Sequence, residues 1–239
     1  MKRIIKPELL DQLPPDDPRA VNSRKELRRL NRLMRHADII AQHLAASEPK
    51  PTDGCIVELG GGDGTLLLRV AQRLAAHWPA MKVVLVDRQS LVDTETRDGF
   101  RVLGWAMENV RADAFDWLRS ESSDGNRVIV TNLFLHHFSE PRLRKLLQYA
   151  GQKTRLFVAC EPRRTMLPLT VSHFLGLIGC SAVTRHDAVI SVRAGFTGNE
   201  LSALWPNEGQ WQLSERAAGL FSHIFVASPR IEVASSWAR

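Results

Sequence analysis

Short apolar runs alternate with amphipathic stretches from residue 54 onward, and this alternation predicts a doubly wound α/β sheet with helices on its faces. Two further runs, Trp211–Arg216 and Phe221–Ala227, are joined by a turn at Ala218-Gly219 that is short enough to make them an antiparallel hairpin. The remaining predicted strands are Cys55–Leu59, Met81–Asp87, a third unit running from Phe100–Gly104 towards Val110–Phe115, Arg127–Asn132 with its exit to Phe138, and Arg155–Cys160.

Ahead of the sheet, apolar residues recur at spacings of three and four and predict one helix over residues 23–46. Ser23 and Glu26 fit a capping box at its start. We expect an N-terminal helical extension, residues 1–50, to lie over the pocket of a main domain formed by residues 51–239. The apolar positions of the helix are Leu27, Leu30, Met34, Ala37, Ala41 and Leu44.

A glycine cluster directly follows the first predicted strand, with glycines at 60, 61, 62 and 64 behind Glu58. Glycine accepts positive φ and lets a ligand approach the backbone, and the N-terminus of the following helix favours an anion or a nucleotide. A dinucleotide fingerprint would require glycine at position 65, which is Thr65, so an NAD(P)-dependent oxidoreductase is disfavoured. The alternative is an ordinary glycine-rich turn between a strand and a helix.

Acidic and amide residues follow several of the predicted strands, and in such sheets ligands bind outside the carboxyl ends of the strands. Asp87 lies about 20 residues beyond the glycine cluster, where an acid hydrogen-bonds ribose hydroxyls in nucleotide sites. Asp113 follows the third unit and is the candidate ligand contact at that strand end. Asp116 competes with Asp113 for this contact or caps a helix. Asn132 ends the fourth strand. Each acid has a simpler interpretation as a turn residue.

The pattern E-x-G-x-G-x-G from Glu58 to Gly64 resembles motif I of the class I S-adenosylmethionine (SAM)-dependent methyltransferases. The stretch Asn132–Phe138 resembles the segment after strand four in the ubiquinone/menaquinone-type small-molecule methyltransferases. The resemblance implies a seven-stranded Rossmann-like sheet with SAM as the cofactor. The cofactor-binding residues that it implies are Glu58, Gly60, Gly61, Gly62, Gly64, Asp87, Arg88, Asp113, Ala114, Asn132 and Leu133.

His136 and His137 leave the fourth strand close to the expected methyl group, and a neutral imidazole could remove a proton from the acceptor. The alternative is that the pair only shapes the turn. Asn31 or Arg35 could reach the cofactor carboxylate from the N-terminal helix, although a solvated basic face explains them as well. Further substrate candidates are His173, which we expect more readily in the core, and Glu161, Arg163 and His186.

The apolar segment 166–205 would cap an aromatic or hydrophobic small molecule, with O-methylation slightly favoured over C-methylation. The formal charge of +6 is concentrated between residues 19 and 35, a segment that contains seven basic residues and one acidic residue. This helix supports a second hypothesis, an RNA or other nucleic-acid methyltransferase. Against it, no proline follows Asn132, and none of the three cysteines follows a proline. A third hypothesis is a non-catalytic SAM-binding protein.

The cysteines are scattered, so neither a disulfide framework nor a metal site is predicted, and a reducing compartment fits best. The most apolar stretch, residues 166–182, is too short and too polar for a membrane span. We therefore expect a cytoplasmic protein with a small-molecule substrate. The sequence leaves its oligomeric state open, with a homodimer as one option.

Overall fold

The computed structural model describes residues 1–47, 54–120 and 127–230. The strands in these ranges are β1 (Cys55–Leu59), β2 (Lys82–Asp87), β3 (Ala106–Arg111), β4 (Arg127–Asn132), β5 (Thr154–Pro162), β6 (Trp211–Ala218) and β7 (Ser222–Pro229). The helices are α1 (Leu9–Gln12), α2 (Pro18–Leu33), α3 (His36–Ala45), α4 (Thr65–Leu74), α5 (Thr94–Val102), α6 (Ala114–Ser120), α7 (Glu140–Gly151), α8 (Met166–His173) and α9 (Ala182–Ala194). Short 3-10 turns cover Leu135–His137, Leu175–Ile178, Ser202–Leu204 and Glu208–Gln210.

The strands form one seven-stranded sheet in the order β3-β2-β1-β4-β5-β7-β6. The first five strands are parallel, and β7 is antiparallel to both β5 and β6. The doubly wound sheet and its C-terminal hairpin are therefore confirmed. The order reverses between β1 and β4, which is the switch point where such sheets bind ligands.

The central strands are buried on both faces, which explains their unbroken apolar runs. Val57 and Leu59 of β1 pack on the face covered by α6 and α7. Ile56 points to the other face, where it joins α3, α4 and Phe100 of α5. Phe100 therefore belongs to a helix rather than to the third strand, which begins at Ala106.

The prediction of one helix over residues 23–46 is wrong, because Arg35 adopts a left-handed φ of +59° between α2 and α3. The break lets Ile40 and Leu44 of α3 enter the core beside α4, whereas α2 packs mainly against α9. The capping box is also wrong. Asp17 caps α2 by accepting a hydrogen bond from the Arg19 amide at 2.8 Å.

Ser23 and Glu26, the residues of the predicted capping box, instead join α2 to the segment around α9. The buried Ser23 hydroxyl lies 2.8 Å from the Thr184 hydroxyl, and Glu26 accepts a hydrogen bond from the Ser181 amide at 3.0 Å. The predicted domain boundary after residue 50 lies outside the described residues. In the part of the chain that the structure describes, each helix is too short or too polar to cross a membrane.

Candidate active site

The carboxyl ends of β1, β2 and β4 lie level with one another. Leu59 pairs with Val86 on one side and with Thr131 on the other, so the next residue of each strand reaches the same edge. These next residues are Gly60, Asp87 and Asn132. Three separate sequence segments thus supply one site at the switch point.

The glycine loop, residues 60–64, has a left-handed backbone at Gly60, Gly62 and Gly64, with φ of +73°, +53° and +74°. A Cβ atom at Gly60 would collide with the ring of Phe134, and one at Gly64 would collide with Leu85. A Cβ atom at Gly62 would meet nothing within 4 Å. Packing therefore requires the outer glycines, whereas Gly62 faces open space in which a ligand could approach the backbone.

Asp87 fastens the glycine loop to β2. Its Oδ2 accepts a hydrogen bond from the Gly62 amide at 3.0 Å, and its Oδ1 accepts one from the Gln89 amide at 2.8 Å. A carboxylate has about four acceptor positions, so each oxygen keeps capacity for a ligand hydroxyl. Arg88, the next residue, is exposed.

Glu58 is fully buried beneath the loop, and its Oε2 has no hydrogen-bond partner among the described residues. Burial, together with the charges of Asp63 and Asp87, raises the pKa of Glu58 well above its usual value. The shift favours the protonated form of this carboxyl group, which can donate a hydrogen bond.

Sequence reasoning missed Arg28 as the residue of α2 that reaches the glycine loop. Its Nη1 lies 2.6 Å from Oδ2 of Asp63, whose Oδ1 accepts the Thr65 amide at the start of α4. Arg35 and Asn31, which were proposed from sequence to reach the cofactor carboxylate, have surroundings that differ from those of Arg28. Arg35 is exposed and pairs with Asp38, and the buried Oδ1 of Asn31 has no partner among the described residues.

Asp113 lies beyond β3 and begins α6, where its Oδ1 accepts a hydrogen bond from the Phe115 amide at 2.8 Å. The adjacent Ala114 is buried. Asp116 is exposed on the outside of α6 and pairs with Arg119. Of the two competing acids, Asp113 is therefore the one at the carboxyl edge of the sheet.

Asn132 ends β4 with a buried Oδ1 that has no partner among the described residues. The following Leu133 has a φ of +50°, a conformation that is unusual for a branched side chain and that is found at ligand sites. His36 is buried nearby, with its Nε2 2.9 Å from the Ser222 hydroxyl, and burial lowers its pKa to about 4. The end of β4 thus places the Asn132 side chain, whose buried Oδ1 makes no hydrogen bond among the described residues, close to the His36 imidazole.

His136 belongs to the histidine turn, residues 133–138, and its ring is held between two carboxylates. Its Nδ1 lies 2.8 Å from Oε2 of Glu161, and its Nε2 lies 3.3 Å from Oε1 of Glu8. Burial alone would lower the pKa of His136, but the hydrogen bonds to Glu161 and Glu8 outweigh it and raise the pKa to about 9. An imidazolium that is already protonated cannot accept a proton from an acceptor, so this geometry disfavours His136 as a base.

His137 lies beside His136, with ring centroids 4.2 Å apart, and is partly exposed. Its Nδ1 lies 3.5 Å from Oδ2 of Asp11, which comes from the N-terminal segment. Burial, followed by the charge of His136, lowers the pKa of His137. The shift favours the neutral imidazole, which is the form that can accept a proton.

Glu161, proposed from sequence as a substrate contact, is fully buried and stabilises the histidine turn. It accepts hydrogen bonds from the Phe134 and Leu135 amides at 3.0 and 2.9 Å, in addition to its contact with His136. Arg163 is partly buried and joins Phe196 in an isolated parallel bridge. These contacts all lie within the protein, so they do not identify Glu161 or Arg163 as a substrate contact.

His173 and His186 line a cavity of about 390 Å³ between the N-terminal segment, α8 and α9. The expectation that His173 lies in the core is wrong, because this residue is exposed. Asp187 caps α1 by accepting the Leu9 and Leu10 amides, and it also contacts His186 Nδ1 at 2.9 Å.

Glu8, His136 and His137 form the one group among the described residues whose metal-ligand atoms all lie within 4.8 Å of one another. Both ring nitrogens of His136 already contact carboxylates, as described above. The ion pairs of His136 thus account for this arrangement without a metal. The three cysteines are free thiols.

Comparison with solved structures shows that the chain has the class I methyltransferase fold. It is similar to the plantazolicin methyltransferase BpumL in complex with SAH, at 14% identity and a TM-score of 0.59 over 90% of this chain and 92% of that one. It is also similar to the mitomycin 7-O-methyltransferase MmcR, at 18% identity and a TM-score of 0.53 over 92% of this chain and 60% of that one.

An O-methyltransferase family protein from Burkholderia thailandensis is similar at 17% identity and a TM-score of 0.52, over 82% of this chain and 57% of that one. The chain thus spans little more than half the length of this protein. Identities this low establish the fold alone. No protein-family model matches the sequence, and no curated protein matches it.

Proposed function

We propose that this protein is a SAM-dependent methyltransferase that acts on a small molecule. One observation carries the proposal. The open space beside Gly62, the carboxylate of Asp87 and the unpaired Oδ1 of Asn132 meet at one sheet edge. The methyltransferase fold and the SAH held by the similar BpumL support the same cofactor.

Each part of the edge would bind one part of the cofactor. The backbone of residues 60–62 would contact the methionine portion, and Asp87 would accept hydrogen bonds from the ribose hydroxyls. Asp113 and Ala114 would lie at the adenine, and Asn132 and Leu133 beside the sulfonium. Glu58, Gly64 and Arg88 would support this site, the first two by shaping the loop from below.

SAM supplies a methyl group that its sulfonium already activates, so the chain mainly has to hold the acceptor in line with it. Such alignment can contribute about 7–11 kcal/mol of a barrier. His137 is the proposed base, because it is the neutral member of the histidine pair and has Asp11 beside it. A positioned base contributes about 10²–10⁴-fold.

An oxygen acceptor on an aromatic or hydrophobic molecule is preferred, with segment 166–205 as its cap. The name of the similar MmcR, a 7-O-methyltransferase, supports oxygen over carbon. The more specific resemblance of Asn132–Phe138 to the ubiquinone/menaquinone-type methyltransferases stays a prediction. Nucleic acid is disfavoured, because five arginines of the basic segment 19–35 already contact carboxylate or carbonyl oxygens of the protein: Arg19, Arg24, Arg28, Arg29 and Arg35.

Calorimetry with SAM and SAH tests the cofactor directly. The wild-type chain should bind both, and Asp87→Ala should weaken binding at least tenfold because it loses the ribose contact and the anchor of Gly62. Asp98→Ala removes an exposed acid of α5 and is the matched control. The proposal fails if the wild type does not bind SAM at millimolar concentration, or if both variants bind as the wild type does.

A further inference from the structure

The cavity of about 390 Å³ described above has walls from three parts of the chain: the N-terminal segment, α8 and α9. Hydrogen bonds hold two of these walls, the N-terminal segment and α9, together. The Ile4 amide donates to the Arg193 carbonyl at 3.0 Å, and the Arg3 side chain donates from Nε to the Ala194 carbonyl at 2.7 Å. The cavity therefore has a fixed frame rather than being a gap between unconnected surface side chains.

Five basic side chains line this cavity, and among the described residues no carboxylate does. They are Lys6, His173, Arg185, His186 and Arg193. Lys6, Arg185 and Arg193 form no side-chain ion pair within residues 1–47, 54–120 and 127–230. Like charges brought together without a counter-charge repel one another, and an anion in the cavity would relieve this repulsion.

The one acid of α9, Asp187, keeps its charge and pairs with His186, but it does not itself line the cavity and forms no ion pair with Lys6, Arg185 or Arg193. Its two oxygens also accept the amides of Leu9 and Leu10 at 2.8 and 2.9 Å, which fixes it at the start of α1. Its contact with His186 uses only Nδ1 of that ring. The other ring nitrogen of His186 remains available to a ligand.

A second cavity, of about 310 Å³, provides a contrast within the same molecule. It lies between α7 and the start of β6 and is lined by neutral residues, among them Gln148, Gln152, Asn207 and Gln210. Of these two cavities, the one beside α9 is lined by basic residues and the other is not.

The basic cavity also has an apolar wall, formed by Ile4, Val189 and Ile190. A bare inorganic ion would leave this wall in contact with water. A molecule with an apolar body and an anionic group would cover the wall and pair with the cations at the same time.

We propose that this cavity is a binding site for an amphipathic organic anion, with a carboxylate, sulfonate or phosphate group on a hydrophobic body. Lys6, from the N-terminal segment, and Arg185, from α9, bind the anionic group, while Val189 and Ile190 contact the body. Binding here does not require SAM, so it is expected of the protein without cofactor.

The probe is anilinonaphthalene sulfonate, an amphipathic fluorescent anion, with uncharged phenylnaphthylamine as its matched analogue. We expect the anion to bind wild type more tightly than the analogue does, and more weakly as salt is added. The double variant Lys6→Gln/Arg185→Gln should weaken binding of the anion about tenfold and leave the analogue unchanged. Arg185→Glu should weaken the anion further than Arg185→Gln does.

The control is Lys25→Gln/Arg97→Gln, which removes one exposed lysine and one exposed arginine elsewhere and so makes the same change in net charge. The proposal is overturned if this control weakens the anion as much as the cavity variant does. It is overturned equally if wild type binds the anion and the analogue alike. Thermal unfolding of each variant verifies that the fold is intact, and Arg185→Gln alone replaces the double variant if that variant does not fold.

Discussion

The glycine loop and the histidine turn follow neighbouring strands, β1 and β4, yet they are built in opposite ways. The glycine loop depends on backbone conformation and on the amide that binds Asp87, and burial raises the pKa of the acid beneath it, Glu58. The histidine turn depends on charged side chains, with His136 between Glu161 and Glu8. The conformation of the glycine loop is therefore specified by local sequence, whereas that of the histidine turn is specified by residues distant in the sequence.

The largest expected effect lies in the histidine turn. Glu161→Gln keeps the shape of the side chain but removes a buried charge that faces His136 and two backbone amides. Because removing one partner of a buried ion pair leaves the other uncompensated, we expect a loss of about 3–5 kcal/mol in the free energy of unfolding. Urea denaturation measures it, with the exposed Glu140→Gln as control. A loss below about 1 kcal/mol would show that the turn does not depend on this charge.

The next effect lies in the glycine loop. Gly60→Ala forces a side chain onto a φ of +73° and against the Phe134 ring, so we expect a loss of about 2–4 kcal/mol. In a Phe134→Leu background the collision is relieved, and the additional cost of Gly60→Ala should fall to that of the backbone alone. Equal costs in the two backgrounds would mean that Phe134 is not what requires glycine here.

The pH dependence of stability separates the two regions further. The pKa of His136 is raised to about 9 in the folded protein from about 6.5 in the unfolded chain, so its stabilisation is fully present below about pH 6.5. It is lost as the pH rises through about 9, for a total on the order of 1–3 kcal/mol. Urea unfolding between pH 6 and pH 10 should show this decline in wild type. It should be absent from His136→Gln, and an identical decline in that variant would assign it to other groups.

The smallest effect concerns the contact between α2 and the glycine loop. Arg28 and Asp63 are partly exposed, so Arg28→Ala should change the free energy of unfolding by less than about 1 kcal/mol. SAM affinity should nevertheless fall severalfold, because Asp63 positions the start of α4 beside the loop. Arg35→Ala, which breaks an exposed pair in the same helical region, is the control for calorimetry. Equal SAM affinity in both variants would remove Arg28 from the site.

Much of the sheet and of its ligand edge could be predicted from sequence, because their signals are local. An apolar run defines each central strand, and glycines with an acid define the loop after β1. The break at Arg35 could not be predicted, since the apolar spacing of three and four continues through it. The break arises because α3 joins the core of the sheet while α2 packs against α9.

The partners of the histidine turn were also beyond sequence reasoning. No role was predicted from sequence for Glu8 or Asp11, yet these residues lie against His136 and His137 in the fold. The helix α9 lacked a clear apolar stripe, because part of its buried surface is polar, including Thr184 and Asp187. Side chains that form hydrogen bonds or ion pairs with residues far away in the sequence produce no periodic pattern.

The contacts of Glu8 have a consequence for how the protein is made. Glu8 hydrogen-bonds the Ser191 hydroxyl, which lies 183 residues later in the chain. At about 5–20 residues per second, a ribosome reaches Ser191 roughly 10–40 seconds after Glu8. Glu8 therefore waits for a helix that is synthesised much later. The glycine loop can form on the nascent chain before α9 exists, whereas the setting of His136 is completed only after α9 has been synthesised.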